Sequence, residues 1–139
     1  MVQIKIRYEG ELHCTAVHGP SARELTTDAP IDNQGKGESF SPTDLVATAL
    51  GTCIVTTMGI VARQHDWDLA GTEVVVEKRM VADPVRRIGE LEVVVRVPHE
   101  FDETTRDVLE HTAHTCPVHK TLAPDVNLPL RFEWGAPVV

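Results

Sequence analysis

The chain has 139 residues, a length that predicts a single domain, residues 1–139, with a core large enough to need no disulfide staples. A net charge of −8 argues against unspecific binding to nucleic acid or to an anionic membrane surface, and aromatic residues, at 4%, are too few to suggest base stacking. Three cysteines make a poor disulfide framework, so we expect a reducing, cytoplasmic setting in which cysteines are free, metal-bound or catalytic.

The first forty residues predict strands followed by a long loop. Residues 2–9 alternate apolar and charged side chains, which indicates a half-buried strand and not a signal peptide. A turn at 9–11 leads into a second strand that contains Cys14, which we interpret as a small apolar residue of the sheet. A short third strand is expected near 24–27, and the loop that follows has a length typical of function or of contact with a partner chain.

The stretch SPTDLVATALGTCIVTTMGIVARQHD, residues 41–66, predicts the central helix. Ser41 is a good N-cap, Pro42 suits the first helical position, and Asp44 has capping-box spacing. No charged residue occurs from 45 to 62, which raises the question of a membrane span, but threonines and glycines favour a helix enclosed by protein. Because one sheet could not cover such a helix on all sides, we expect an intimate homodimer.

The second half of the chain predicts a larger hairpin, two helices and a closing strand. Two strands are expected within 67–81 and 88–97, with a turn between them. Asp102 is a predicted N-cap for a helix over 103–115, and Cys116 for a short helix that Pro117 begins. LPLRFEW, at 128–134, is the last strand. Hairpins alternating with helices predict an α+β fold with antiparallel sheets.

Cys53 and Cys116 form the first candidate site. Cys53 lies deep in the apolar helix, where it would be inert unless a base or a cation came from elsewhere. Cys116 lies at a helix start, where free N–H groups and the dipole favour a thiolate. Such a pair suits a two-cysteine redox cycle, whereas the alternative is that both thiols are core residues.

A second candidate is the cluster His111, His114, Cys116 and His119, whose imidazoles and thiolate could bind zinc. The break at Pro117 turns His119 away from the other two histidines, so we prefer the interpretation that these are surface histidines. No phosphate loop, dinucleotide fingerprint or serine triad is present, and no cofactor is predicted.

Asp44 is the third candidate, because a carboxylate near a thiol can hold an arginine that stabilises the thiolate. Asp44 precedes Cys53 by nine residues, and we expect the two on one face of the helix. Arg23 is the first arginine to test, ahead of those at 63, 86 and 87. The alternative is that Asp44 serves only the capping box.

Two segments, SPTDLVATALGTC at 41–53 and HTCPVHKTL at 114–122, resemble the motifs of the OsmC/Ohr superfamily (osmotically inducible protein C and organic hydroperoxide resistance protein). The resemblance implies an intertwined homodimer in which sheets wrap two long buried central helices. It also implies thiol-dependent peroxidase chemistry, with Cys53 as the peroxidatic and Cys116 as the resolving cysteine. A lipoyl-type or small dithiol would then reduce the disulfide.

The start of the helix departs from the pattern of the hydroperoxide-resistance members. These carry a glutamate ten residues before the first cysteine, where this chain has Thr43, and Asp44 gives the motif a form similar to the YhfA-like branch. The family's activating arginine follows a Gly-Gly pair, and Arg23 in HGPSAR is the nearest match. The alternative function is therefore a redox-sensing or small-ligand-binding protein with little peroxidase turnover.

Overall fold

The computed structural model describes residues 1–135 of the chain. Its backbone falls into two compact units, Met1–Val46 and Ala47–Val139. The boundary lies inside the long helix, so the prediction of a single domain stays a prediction. The element types and their order agree with an α+β fold.

The first unit contains a three-stranded antiparallel sheet in the order β1-β2-β3, which confirms the three predicted strands. The strands are β1 (Ile4–Gly10), β2 (His13–His18) and β3 (Glu24–Asp28). Ile4, Ile6 and Tyr8 alternate along β1 and therefore share one face of the sheet. All three are exposed, which leaves this apolar face uncovered within its own unit.

The loop after β3 is fastened to the sheet through Asp28, a carboxylate that is only 6% exposed. Asp28 accepts a hydrogen bond from the Glu38 backbone N–H at 3.0 Å and lies 2.5 Å from His13 Nδ1. The hydrogen bond with His13 is the main reason that the pKa of Asp28 lies below its usual value. The Asp28 N–H in turn donates to the Phe40 carbonyl, so the loop is held at both ends.

Helix α1 (Pro42–Gln64) begins with the predicted capping box. The Ser41 N–H donates to Asp44 Oδ2 at 2.9 Å, and the Asp44 N–H donates to Ser41 Oγ at 3.1 Å. Two orphan donors of the first turn are thereby satisfied reciprocally. The helix ends before Asp66, whose φ of 55° is the left-handed conformation typical of helix C-termini.

Helix α1 buries one face and exposes another. Except for the adjacent pair Leu50 and Gly51, its buried residues are spaced three or four positions apart: Ala47, Leu50, Gly51, Ile54, Met58 and Ala62. Ile60, by contrast, is 56% exposed. By length and composition, with a mean hydropathy of 2.0, α1 could cross a membrane, but buried core helices pass the same test. The single chain therefore covers only one side of this helix. The expectation that the helix is buried on all sides is not fulfilled in the single chain.

The second unit contains a mixed sheet in the order β4-β5-β6. Its strands are β4 (Glu73–Val81), β5 (Arg87–Val97) and β6 (Leu130–Trp134). The first two are antiparallel as predicted, whereas β5 and β6 are parallel, so the expectation of wholly antiparallel sheets is wrong for this edge. The reason is the long connection over 98–129, which crosses over through helices and returns the chain in the same direction.

That connection contains α2 (Glu103–Ala113) and α3 (Pro117–Leu122). Both predicted N-caps are confirmed, because Asp102 accepts the Thr105 N–H and Cys116 accepts the His119 N–H. Helix α1 approaches β4 closely at Gly51, where an added Cβ would lie 3.0 Å from a Val76 methyl. Within the second unit, the core thus lies between the buried face of α1 and this sheet.

Candidate active site at Cys53 and Cys116

The second unit brings together two cysteines that lie far apart in the sequence. Cys53 is in the middle of α1, and Cys116 is the N-cap of α3, held in an extended conformation before Pro117. The two side chains are close enough for Cys53 to raise the pKa of Cys116, and both are free thiols. The juxtaposition that sequence spacing could not establish is therefore present.

The exposure of the two thiols is the reverse of what the sequence suggests. Cys116 is fully buried, with 0% of its surface exposed, whereas Cys53 is half-buried. A molecule arriving from solvent can consequently reach the Cys53 sulfur first. This ordering suits a cycle in which Cys53 meets the oxidant and Cys116 reacts only with the oxidised Cys53.

Burial raises the pKa of the Cys116 thiol, and the adjoining Cys53 raises it further. The N–H groups at the start of α3 act in the opposite direction, with His119 donating to the Cys116 sulfur at 3.2 Å, but desolvation is the larger effect. The helix start therefore favours the thiolate as expected, but burial outweighs its effect on the pKa of Cys116. A thiol that keeps its proton can instead donate a hydrogen bond to the Cys53 sulfur.

Among the described residues of the second unit, the two polar groups that interact with the Cys53 thiol are neutral. Its sulfur lies 4.0 Å from the Thr57 hydroxyl, one turn further along α1, and contacts Cys116 on the other side. Neither group carries the positive charge that most often activates a catalytic cysteine.

Asp44 forms the predicted capping box, and its expected role in holding an arginine stays a prediction. Its carboxylate accepts the Ser41 N–H. Nine residues correspond to about two and a half turns at 3.6 residues per turn, so Asp44 and Cys53 project from opposite sides of α1. The expectation that they share one face of the helix is wrong. Thr43, at the position of the relatives' glutamate, places its hydroxyl 3.2 Å from Ser41 Oγ.

Arg23 lies in the first unit, exposed, just before β3, and its carbonyl accepts the His18 N–H at 2.8 Å. Its proposed role beside Cys53 stays a prediction. Of the other arginines, Arg63 is exposed in the last turn of α1. Arg87 donates from its guanidinium to the Ile88 carbonyl at 3.4 Å.

The histidines near Cys116 differ from one another in burial. His111 and His114 are exposed as expected, but His119 is half-buried, and its ring meets that of His114 edge-on with centroids 5.4 Å apart. Among residues 1–135, no group of three or more His, Cys, Asp or Glu side chains is arranged to hold a metal ion. The expectation that the break at Pro117 turns His119 away from the other histidines is therefore wrong with respect to His114, because the two rings meet.

Comparison with known proteins gives a consistent family. A family model described as OsmC-like protein matches residues 35–131. A Psychrobacter arcticus protein, provisionally described as an osmotic stress induced and detoxification response protein, is 45% identical over 96% of both chains, with a TM-score of 0.91. No curated protein matches significantly.

More distant solved structures share the fold. An organic hydroperoxide resistance protein OsmC from Legionella pneumophila has a TM-score of 0.78 at 16% identity, covering 96% of each chain. The organic hydroperoxide resistance protein OhrB of Bacillus subtilis has a TM-score of 0.68 at 18% identity, covering 96% of this chain and 98% of its own.

Proposed function

The chain belongs to the OsmC-like protein family, and from that premise we propose that it is a thiol-dependent peroxidase for organic hydroperoxides. The observation that carries the proposal is the contact between the half-buried Cys53 thiol and the buried Cys116 thiol. The description of the Psychrobacter arcticus relative as a stress and detoxification protein agrees with such a role.

In the first step, the Cys53 thiolate attacks one oxygen of the hydroperoxide. An S–O bond forms, the O–O bond breaks, and the alkoxide leaves as an alcohol after taking a proton. Cys53 becomes a sulfenic acid, oxidised by two electrons. Apolar residues of α1 would favour an organic substrate over hydrogen peroxide at this position.

In the second step, the Cys116 sulfur attacks the sulfenic sulfur of Cys53. The S–S bond forms, and the hydroxyl leaves as water with the proton of the Cys116 thiol. A lipoyl-type or small dithiol then restores both thiols by exchange and is itself oxidised to a disulfide. The cycle uses no cofactor.

We further propose that the protein works as a cytoplasmic homodimer. The support is exposed apolar surface in each unit: the face of β1 that carries Ile4, Ile6 and Tyr8, and Ile60 on α1. Apolar surface of this kind marks interfaces, and a second copy of the chain is the occupant that the family's intertwined dimer implies. Light scattering on a purified sample would give twice the 15.3 kDa chain mass if the proposal holds.

The test of the peroxidase proposal combines turnover with trapping. Reduced protein should consume cumene hydroperoxide with dihydrolipoamide as donor, and Cys53→Ser should abolish this consumption. Cys116→Ser should accumulate a Cys53 sulfenic acid that dimedone labels, detected by mass spectrometry. Cys14→Ser, on β2, is the matched control and should turn over normally, because the proposed cycle uses only Cys53 and Cys116. Full turnover by Cys53→Ser would refute the assignment.

The second candidate is a redox sensor or small-ligand-binding protein with little turnover. The neutral surroundings of Cys53 within its unit favour it, because an unassisted thiol reacts slowly. A reversible Cys53–Cys116 disulfide that forms without multiple turnovers, with any dithiol, would select this alternative over the peroxidase.

A further inference from the structure

His119 carries a buried polar atom that the peroxidase proposal does not use. Its ring nitrogen Nδ1 is inaccessible to solvent and has no hydrogen-bond partner among the described residues, a state shared there only with Arg106 Nε. Buried nitrogen and oxygen atoms are nearly always hydrogen-bonded, because an unpaired one has lost its hydrogen bonds to water and gained none within the protein. An unpaired nitrogen on a residue that contacts Cys116 suggests that its hydrogen-bond partner is present only while the two cysteines react.

The position of His119 ties it to the reactive sulfurs. It is the third residue of α3, and its backbone N–H donates to the Cys116 sulfur at 3.2 Å. In a capping box, a polar side chain at this third position can reach back towards the N-cap residue, which here is Cys116. The Cys116 thiol also neighbours Cys53, so the backbone of His119 is joined to Cys116, and Cys116 adjoins the half-exposed thiol.

The surroundings of His119 keep its imidazole neutral. Burial is the main cause that lowers its pKa, and the neighbouring His114 and Lys120 lower it further. The titratable groups around it are therefore His114 at the end of α2, Cys116 and Lys120 on its own element, and Cys53 on α1 through Cys116. A neutral imidazole has a nitrogen lone pair, so it can accept a proton at neutral pH.

We propose that the His119 imidazole accepts the proton of the Cys116 thiol as Cys116 attacks oxidised Cys53. This inference rests on the Cys53–Cys116 cycle of the proposed function. The Cys116 sulfur supplies the electron pair of the S–S bond, and its proton passes to His119 directly or through one water. The S–O bond of the sulfenic acid breaks and its electron pair stays with the oxygen. The departing hydroxide takes the proton from His119 and leaves as water. A buried thiol with a raised pKa needs such an acceptor in order to react.

The test isolates this step without using a peroxide. In a Cys14→Ser background, Cys53 is converted by a pyridyl disulfide to a mixed disulfide, which releases one pyridinethione. Attack by Cys116 then forms the Cys53–Cys116 disulfide and releases a second pyridinethione. Both releases are followed by absorbance in a stopped-flow instrument. We expect His119→Gln to slow the second release by roughly 100-fold at pH 7, the lower end of the range for loss of a general base, and to leave the first release unchanged. His111→Gln, which changes an exposed histidine on α2, should leave both releases unchanged.

The pH dependence of closure separates proton transfer from a structural effect. With His119 present, the rate should rise with pH to a plateau, with its inflection below 6.5, the usual histidine pKa. In His119→Gln the inflection should disappear and the rate should climb with hydroxide concentration. Equal closure rates in the two proteins, absence of that inflection with His119 present, or no second release at all would overturn the inference. Should His119→Gln fail to fold by circular dichroism, the profile of the His119 protein alone decides.

The same measurements distinguish the two proposals. If cumene hydroperoxide fails to oxidise Cys53 while closure from the mixed disulfide still depends on His119, the peroxidase proposal fails and the role of His119 stands. If Cys53 is oxidised rapidly and the rate of disulfide formation does not depend on His119, the peroxidase proposal stands and the role of His119 fails.

Discussion

Replacing Cys116 by serine and by alanine separates the two functions of this side chain. Its sulfur is both the reactive thiol opposite Cys53 and the N-cap acceptor for the His119 N–H of α3. A serine hydroxyl accepts that hydrogen bond at least as well, and it can donate to the Cys53 sulfur, so it keeps the cap and stays satisfied. Alanine removes the cap and leaves the N–H buried without an acceptor.

The magnitudes follow from the geometry. Losing an N-cap costs about 1 kcal/mol, and the missing atom at a fully buried position adds a small cavity, so we expect Cys116→Ala to lose roughly 1–2 kcal/mol of unfolding free energy. Cys116→Ser should stay within about 0.5–1 kcal/mol of the parent. At about 3 °C per kcal/mol for a chain of this size, the two variants should differ measurably in melting temperature.

Urea unfolding of the reduced proteins measures the stability difference, and diagonal electrophoresis after oxidation measures the disulfide. Both variants should lose the intramolecular disulfide completely, despite their unequal stabilities. If Cys116→Ser were destabilised as strongly as Cys116→Ala, the sulfur would not be acting as a replaceable cap, and this reasoning about α3 would be refuted.

Three further predictions concern the scaffold. Gly59→Ala should raise the unfolding free energy by about 1 kcal/mol, because no atom lies within 4 Å of the added Cβ and alanine favours a helix interior; a fall in melting temperature would contradict this. Leu50→Ala should lose roughly 2–5 kcal/mol in urea unfolding, since Leu50 is fully buried, whereas Ile60→Ala, at an exposed position of the same helix, should lose far less within the monomer. Because the pKa of Asp28 is lowered, its stabilising effect is complete above the usual value of 3.8 and is lost as the pH falls below it. Melting curves of the parent and of Asp28→Asn should therefore converge in acid, and a gap that persists there would count against the role of the His13 hydrogen bond.

Local chemistry made several elements predictable from the sequence. The capping box of Ser41 and Asp44 depends on side chains that reach only a few residues, and it forms as expected. The same holds for the N-caps at Asp102 and Cys116, because a short polar or thiol side chain before a helix has few other places to donate or accept. The family motifs lie on these same local features.

Burial and strand direction were less predictable, because both depend on the tertiary arrangement. The apolar neighbours of Cys53 suggested that it was the deeper thiol, but it lies towards the edge of the buried face of α1, and Cys116 is the enclosed one. Strand β6 alternates like an antiparallel strand yet pairs parallel to β5, which only the course of the chain through α2 and α3 determines. For His119, the pattern gave its position but not its burial.

The sulfur that caps α3 also connects the oxidation state of the protein to the order of a helix end. We expect that turning Cys116 towards Cys53 to form a disulfide weakens the hydrogen bond that its sulfur accepts from the His119 N–H. The first turn of α3 is expected to fray on oxidation, and the His119 amide proton should exchange with solvent faster than in the reduced protein. A reductant or partner that recognises a loosened helix end could thereby distinguish oxidised from reduced protein without contacting either sulfur.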